Sequence, residues 1–274
     1  MKSRSSWGRY LNLAVLTFLS ICTLGPLVFM LITSVKTNLQ ITQNYFGLNP
    51  PVHWEYYAEA FDKVRHYLIN SVFISGFSVI GVVLVSCSSA YVFARYEFFG
   101  KKLLFIFILS FLMIPSVLTL IPQFIMITRM HLINSKWGCI LPYIAGGQIV
   151  TIYVLRTFFE GLPNELFECA RIDGAGGLRC FLSIALPLSI PMVISMGLFN
   201  ILFTWNDFFW PLLVLPEQEK TTITVGLYRF MDEQQIKWGL IFAGFMIASL
   251  PIMFLFSLSM RYFVQGMTSG ALKA

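Results

Sequence analysis

Six long apolar runs, at residues 11–31, 67–92, 103–127, 137–155, 181–203 and 240–260, alternate with shorter polar segments along this chain. A helix of roughly 20 consecutive apolar residues crosses a bilayer core of about 30 Å. Each run reaches about that length, and none contains Asp, Glu, Lys, Arg or His. The pattern predicts an all-α membrane protein of six transmembrane helices, with residues 1–274 forming a single domain. Trp7, Trp137, Trp205, Trp210 and Trp238 fall near the ends of the runs, where amphipathic rings anchor at the headgroups. The first run is longer than the h-region of a signal peptide, and no A-x-A-like cleavage site follows it. It is therefore expected to be retained as a span.

The polar segments differ in kind. Residues 32–66 hold Asn49, Pro50 and Pro51 and then a short amphipathic run from Trp54 to Phe61. Residues 204–238 read as a long loop, aromatic at its start and polar in its middle. Residues 163–187 form a polar island with helical spacing. There Pro163 is placed at the first position of a helix, where a missing N–H costs nothing. Glu165 lies in the first turn, where the helix dipole favours an anion. Leu166, Phe167, Ala170 and Ile172 supply an apolar side, while Glu168 and Arg171 are spaced to pair at i, i+3. Gly174 suits a left-handed stop, and a second helix is expected from Leu178 towards Pro187. A short amphipathic helix of this kind rests on lipid or lays its apolar side into the groove of a partner.

Composition sharpens the membrane reading. The chain is 57% hydrophobic and 12% charged, with a mean hydropathy of +0.75, whereas soluble domains carry about a quarter charged residues. Its formal charge of +6 follows topology. With the N-terminus inside, the inner segments hold Lys2, Arg4, Arg9, Arg95, Lys101, Lys102, Arg156, Arg171, Arg179, Arg261 and Lys273. That is the bias expected of cytoplasmic segments. Both termini are thus expected in the cytoplasm, and nothing calls for a nucleic-acid partner.

Intramembrane ionisable residues mark proton relays and coupling-ion sites, and their absence argues against an ion-driven transporter. The nearest approach to a nucleotide-binding loop is Gly100, Lys101 and Lys102. Arg95 occupies the position of its first glycine, and no Ser or Thr follows the lysine. His53, His66 and His131 lie outside the runs with no H-E-x-x-H spacing, and the five cysteines show neither metal nor disulfide spacing. No metal ligands and no bound cofactor are expected, so any power source must act in trans. Ser71, Ser75, Ser78, Ser86 and Ser89 share one helical face, which serves either close helix packing or the wall of a solute path. Pro26, Pro115, Pro122, Pro187, Pro191 and Pro251 fit helices packed in a bundle or lining a cavity.

Glu168-Cys169-Ala170, then Gly174 after three residues, then Ile184, Leu186 and Pro187, resemble the EAA loop of membrane subunits of binding-protein-dependent ABC importers. Cys169 stands where the pattern has its middle alanine, and Asp173, Gly174 and Ala175 match it. Trp205-Asn206-Asp207, Pro211-Leu212, Thr224 to Leu227, Trp238-Gly239 and the ending from Gly266 to Lys273 are similar to the MalG-type branch, which serves carbohydrate importers. The resemblance implies the ABC importer permease fold and a chain that is a transporter subunit, not an enzyme. It implies a MalF-type permease partner, two copies of a cytoplasmic sugar-type ATPase that bind ATP and Mg, and an extracytoplasmic solute-binding protein. The setting it implies is a bacterial inner membrane. By the same resemblance Glu168, Cys169, Ala170, Asp173, Gly174 and Pro187 couple to the ATPase, and the tail from Gln265 to Ala274 lies near it. Trp205, Asn206 and Asp207 begin the loop that contacts the binding protein. Asn70, Ser71 and Asn200 are candidates for the solute path or for helix–helix hydrogen bonds. Other solutes on the same scaffold, glycerol phosphate or an amino sugar, remain open, as does a membrane scaffold that binds a partner and moves nothing.

Overall fold

The computed structural model describes residues 6–233 and 237–271, so the flanking cations Lys2, Arg4 and Lys273 and the tail beyond Ala271 lie outside the described residues. Every regular element among the described residues is a helix. Four are long and apolar enough to cross a membrane: α1 (Ser6–Thr33), α3 (Glu55–Arg95), α6 (Trp137–Glu160) and α12 (Trp238–Ala271). The runs at 103–127 and 181–203 each fold as a bent pair. In the first, α4 (Lys101–Met113) meets α5 (Ser116–Arg129) at 100°; in the second, α8 (Gly177–Leu188) meets α9 (Ile190–Asn206) at 75°. Counting each pair as one span gives six.

The breaks have local causes. Pro115 carries no N–H and pushes Ile114 into extended backbone, and Ile114 sits at φ −87°, ψ 115°. In the second pair Pro191 occupies the start of α9, and five residues of α8, Phe181–Ala185, form a π-turn just before Leu186 and Pro187. A π-turn of this kind is a common source of helix bending.

Two stretches are more helical than the sequence pattern implied. The amphipathic run after Trp54 continues without interruption into the second span, making α3 a single helix of 41 residues. The segment 204–238, expected as a loop, contains α10 (Phe209–Val214) and α11 (Ile223–Glu233) with a 3₁₀ turn at Gln218–Lys220. Trp210, Val214, Leu215, Ile223 and Val225 are buried there. Burial of this apolar set overrides the turn signal of Pro211, while Pro216 falls in the break after α10.

The chain divides into two compact units. One comprises the chain up to Arg65 with Leu227–Leu250; the other comprises His66–Gly226 with the chain from Pro251. In the first unit α1 leaves nearly all of its side chains exposed. A capping box formed by Thr37 and Gln40 starts α2 (Asn38–Gln43). Lys36 is buried and donates from Nζ to the carbonyl of Asn44 at 2.9 Å; burial pushes its pKa down. Gly239 lies against the carbonyl of Lys36 and the ring of Tyr56, where a Cβ has no room.

In the second unit one apolar cluster gathers Tyr91, Phe93, Phe105, Leu155, Phe159, Phe167 and Cys180. Another gathers Ile74, Ile127, Ile140, Tyr143, Trp210 and Val214. The serine face of α3 is turned inward: Ser71, Ser75, Ser78 and Ser86 are buried, and Ser89 is partly so.

Candidate functional site

The polar island folds as α7 (Asn164–Ile172), which follows α6, and then most of α8. Pro163 stands one position earlier than expected, as the residue flanking the first turn, and Glu165 lies in that turn. The C-terminus closes by two backbone bonds: Gly174 N–H to Arg171 at 3.0 Å, and Ala175 N–H to Ala170 at 2.8 Å. This pair of bonds defines a Schellman stop, which places the residue after the helix cap in left-handed conformation. Gly174 has φ +80°, a region costly to residues bearing a Cβ. The glycine of the motif is therefore required by the turn itself.

Within α7 the motif residues separate into two faces. Phe167 is buried in the core, and Ala170 and Ala175 pack against the same cluster. Glu165, Leu166, Glu168, Cys169, Arg171, Ile172 and Asp173 are exposed. Ile172 keeps 86% of its surface open and Leu166 42%, so the outer side sets two large apolar side chains among charged ones. The expected Glu168–Arg171 pair does not form. Among the described residues Glu168 makes no hydrogen bond or ion pair, because it and Arg171 border a cavity instead of bridging it. That cavity, about 240 Å³, opens between α3, α7 and α8 and is bounded by Tyr91, Arg95, Asn164 and Phe167 as well.

The most heavily engaged side chain at the site is one that motif reasoning passed over. Arg95, the last residue of α3, donates from Nη2 to the carbonyls of Phe159 at 2.6 Å and Leu162 at 2.8 Å. From Nη1 it donates to Asn164 Oδ1 at 2.6 Å. Its guanidinium lies 4.1 Å from the centre of the Phe167 ring, within cation–π range. Four residues before it, Tyr91 donates to the carbonyl of Gly177 at 3.4 Å. Gly177 has no space for a Cβ because the Tyr96 hydroxyl fills it. Pro187 lies further along α8, just past the π-turn.

Trp205, Asn206 and Asp207 are placed at the end of α9, with little of the trio open. Trp205 is buried and its carbonyl accepts from Thr224 Oγ1 at 2.6 Å. Asp207 accepts from the Tyr143 hydroxyl at 2.8 Å. Asn206 is exposed and bonds back to Leu202. The open tip of this segment is Pro216 to Glu219 instead. There Glu217 meets Lys220 at 2.9 Å, and that hydrogen bond holds its carboxyl below the usual range.

The three path candidates bond within the chain. Asn70 Nδ2 donates to the carbonyls of Glu219 at 2.7 Å and Thr221 at 3.0 Å. Ser71 Oγ accepts from the Ile223 N–H at 2.7 Å. Asn200 Nδ2 donates to Thr151 Oγ1 and to Met196. Asn70→Leu strands the buried carbonyl of Thr221 and loses the bond to Glu219, and is expected to destabilise the chain by about 1–3 kcal/mol. Thermal unfolding in detergent measures this. An unchanged melting temperature with a raised uptake KM would instead place Asn70 on the solute.

Residues 83–269 match the family model described as binding-protein-dependent transport system inner membrane component. The diacetylchitobiose uptake system permease protein NgcG of Streptomyces coelicolor is 31% identical over 95% of this chain and 87% of its own. The arabinooligosaccharides transport system permease protein AraQ of Halalkalibacterium halodurans is 30% identical over 98% of this chain and 96% of its own. Among solved structures, a chain of a bacterial ABC transporter for the acidic polysaccharide alginate superposes with a TM-score of 0.83 at 20% identity, covering 96% of this chain and 99% of that one. That likeness establishes a shared fold.

Proposed function

The chain belongs to the family of binding-protein-dependent transport system inner membrane components, and from that premise we propose that it forms half of the pore of an ATP-driven importer for a sugar or oligosaccharide. A second permease of MalF type supplies the other half. Two sugar-type ATPase subunits bind ATP and Mg on the cytoplasmic side, where both termini lie, and α7 docks into one of them. A solute-binding protein delivers cargo at the opposite face, against the segment that begins at Trp205 and includes the open tip at 216–219. Carbohydrate cargo is favoured by the relatives of full length, which are named for diacetylchitobiose and arabino-oligosaccharides.

The observation that carries this reading is the two-sided build of α7. Its inner face is fixed to the core through Phe167 and Ala170, while Glu168, Leu166 and Ile172 are exposed, and Glu168 makes no hydrogen bond or ion pair among the described residues. A helix built this way presents an amphipathic face to a groove. Glu168, Cys169 and Asp173 make up its polar edge, and the adjoining cavity is a socket for a side chain of the partner. Closure of the ATPase pair on ATP moves α7. The differential binding free energy between the two ATPase states then biases inward- against outward-facing helices. Asn70, Ser71 and Asn200, with their bonds made internally, brace the helices beside the path in this reading.

Cys169 provides the test. Cys87, Cys139 and Cys180 are buried, and Cys22 is exposed on α1. In a Cys22→Ser background, a short thiol-to-amine cross-linker is expected to join Cys169 to the co-expressed ATPase subunit. Failure to do so in an intact, purified complex would exclude α7 as the docking helix.

A further inference from the structure

We infer that Arg95 is the positioning residue that locks the coupling helix to the membrane-spanning helix α3. The inference rests on the reading of α7 as the ATPase docking helix.

The argument starts from what lies on either side of α7. It is joined to α6 by the short turn Gly161, Leu162 and Pro163, and its only deep side-chain anchor is Phe167. A nine-residue helix on a three-residue turn can pivot about that anchor unless something else holds the turn. Arg95 does so from outside the segment. One guanidinium takes the carbonyls of Phe159 and Leu162, which flank the start of the turn, and the side chain of Asn164, which follows it. Phe159 supplies a terminal carbonyl of α6, at the negative end of its dipole and otherwise met only by N–H groups of the turn, and Leu162 supplies a carbonyl from the turn itself. The same group stacks on Phe167, so turn, first residue and anchor share one cation.

The planar fork of arginine matches this set of acceptors, whereas the ammonium of lysine is a single compact charge on a flexible stem. A displacement imposed on α7 is thereby passed to the end of α3 without slack. Removing the fork leaves Phe159 and Phe167 packed in the core, so α7 stays attached but becomes compliant. The effect falls on the coupling between ATP hydrolysis and movement, ahead of the fold.

The test uses the complete importer in proteoliposomes and reads solute transported per ATP hydrolysed. Arg95→Gln is expected to lower that ratio about tenfold or more, and Arg95→Lys not to restore it. Asn164→Asp, which keeps an acceptor for Nη1, is expected to hold the ratio within about twofold of native, and Asn164→Ala to lower it. A merely structural residue would depress uptake and hydrolysis together, in proportion to the complex lost, and that result overturns the inference. So does a native ratio in Arg95→Gln. If the Arg95 variants fail to assemble, Asn164→Ala decides by the same ratio, a native value being fatal. Glu168→Ala keeps the two ideas apart. If it leaves the ratio native, the docking role of α7 fails; if it uncouples while Arg95 and Asn164 variants do not, only the clamp fails.

Discussion

Replacing Glu168 with Ala abolishes solute uptake in the expected outcome, while the chain still inserts and folds. The side chain is exposed and bonds to nothing else among the described residues, so its loss costs the isolated subunit little. In the proposed complex the same carboxylate meets the ATPase. Truncating one partner of a buried charged contact costs roughly 2–5 kcal/mol, a factor of more than ten in the population of the coupled state. Gly174→Pro reaches the same end by another route. Proline fixes φ near −65°, against +80° at this position, and it removes the N–H that bonds Arg171. The stop unwinds, and the outer face of α7 loses its orientation. Uptake into cells, set beside membrane fractionation, measures both variants. Normal uptake in both would remove the coupling assignment.

The second large effect is on stability. Gly239→Val is expected to lower the melting temperature of the purified subunit sharply. A Cβ there runs into the backbone carbonyl of Lys36, which no rotamer change relieves. The neighbouring N–H of Trp238 is also held, by Asn38 Oδ1 at 3.0 Å, so the start of α12 cannot back away. Overpacking of this kind costs about 1–3 kcal/mol, and a rigid obstacle places it at the upper end. Gly146→Ala, inside α6 with open space at its Cβ position, is the contrasting control. It should be neutral or slightly stabilising, because glycine in a helix interior is worth about 1 kcal/mol less than alanine. Equal melting temperatures for the two variants would contradict the packing described at Gly239.

The six apolar runs were legible because charge is excluded from all of them, a signal that tertiary context does not blur. The stop at Gly174 was legible for a similar reason: a left-handed turn selects glycine locally. The continuity of α3 was not. Asp62, Lys63, Arg65 and His66 interrupt the apolar pattern, yet the helix runs through them because Ala60, Val64 and Tyr67, at helical spacing, keep one face buried. The break after Ser189 was hidden in another way, since Pro191 is tolerated in a first turn and does not announce whether a new helix starts there. Short helices at 209–214 and 223–233 were masked by prolines and glycines whose turn propensity lost to burial. Arg95 was invisible as a functional residue, counted only as an inner cation. Two of its three acceptors are backbone carbonyls, which carry no sequence signature, and the third lies 69 positions away.

The continuity of α3 has a mechanical meaning. Ser71 near one end of its apolar stretch holds the N–H of Ile223, and Arg95 at the other end holds the turn before α7. At 1.5 Å per residue these grips are about 36 Å apart on one unbroken helix. A rod of that length converts small angles into useful travel: a tilt of about 5° moves one end by roughly 3 Å relative to the other. In the proposed importer, a stroke of a few ångströms at the Arg95 end would therefore reach Ser71 as a shift about the length of a hydrogen bond, enough to release or engage the N–H of Ile223. The gearing is written into the helix length, and a single flexible glycine pair inserted near Val82 would take it away.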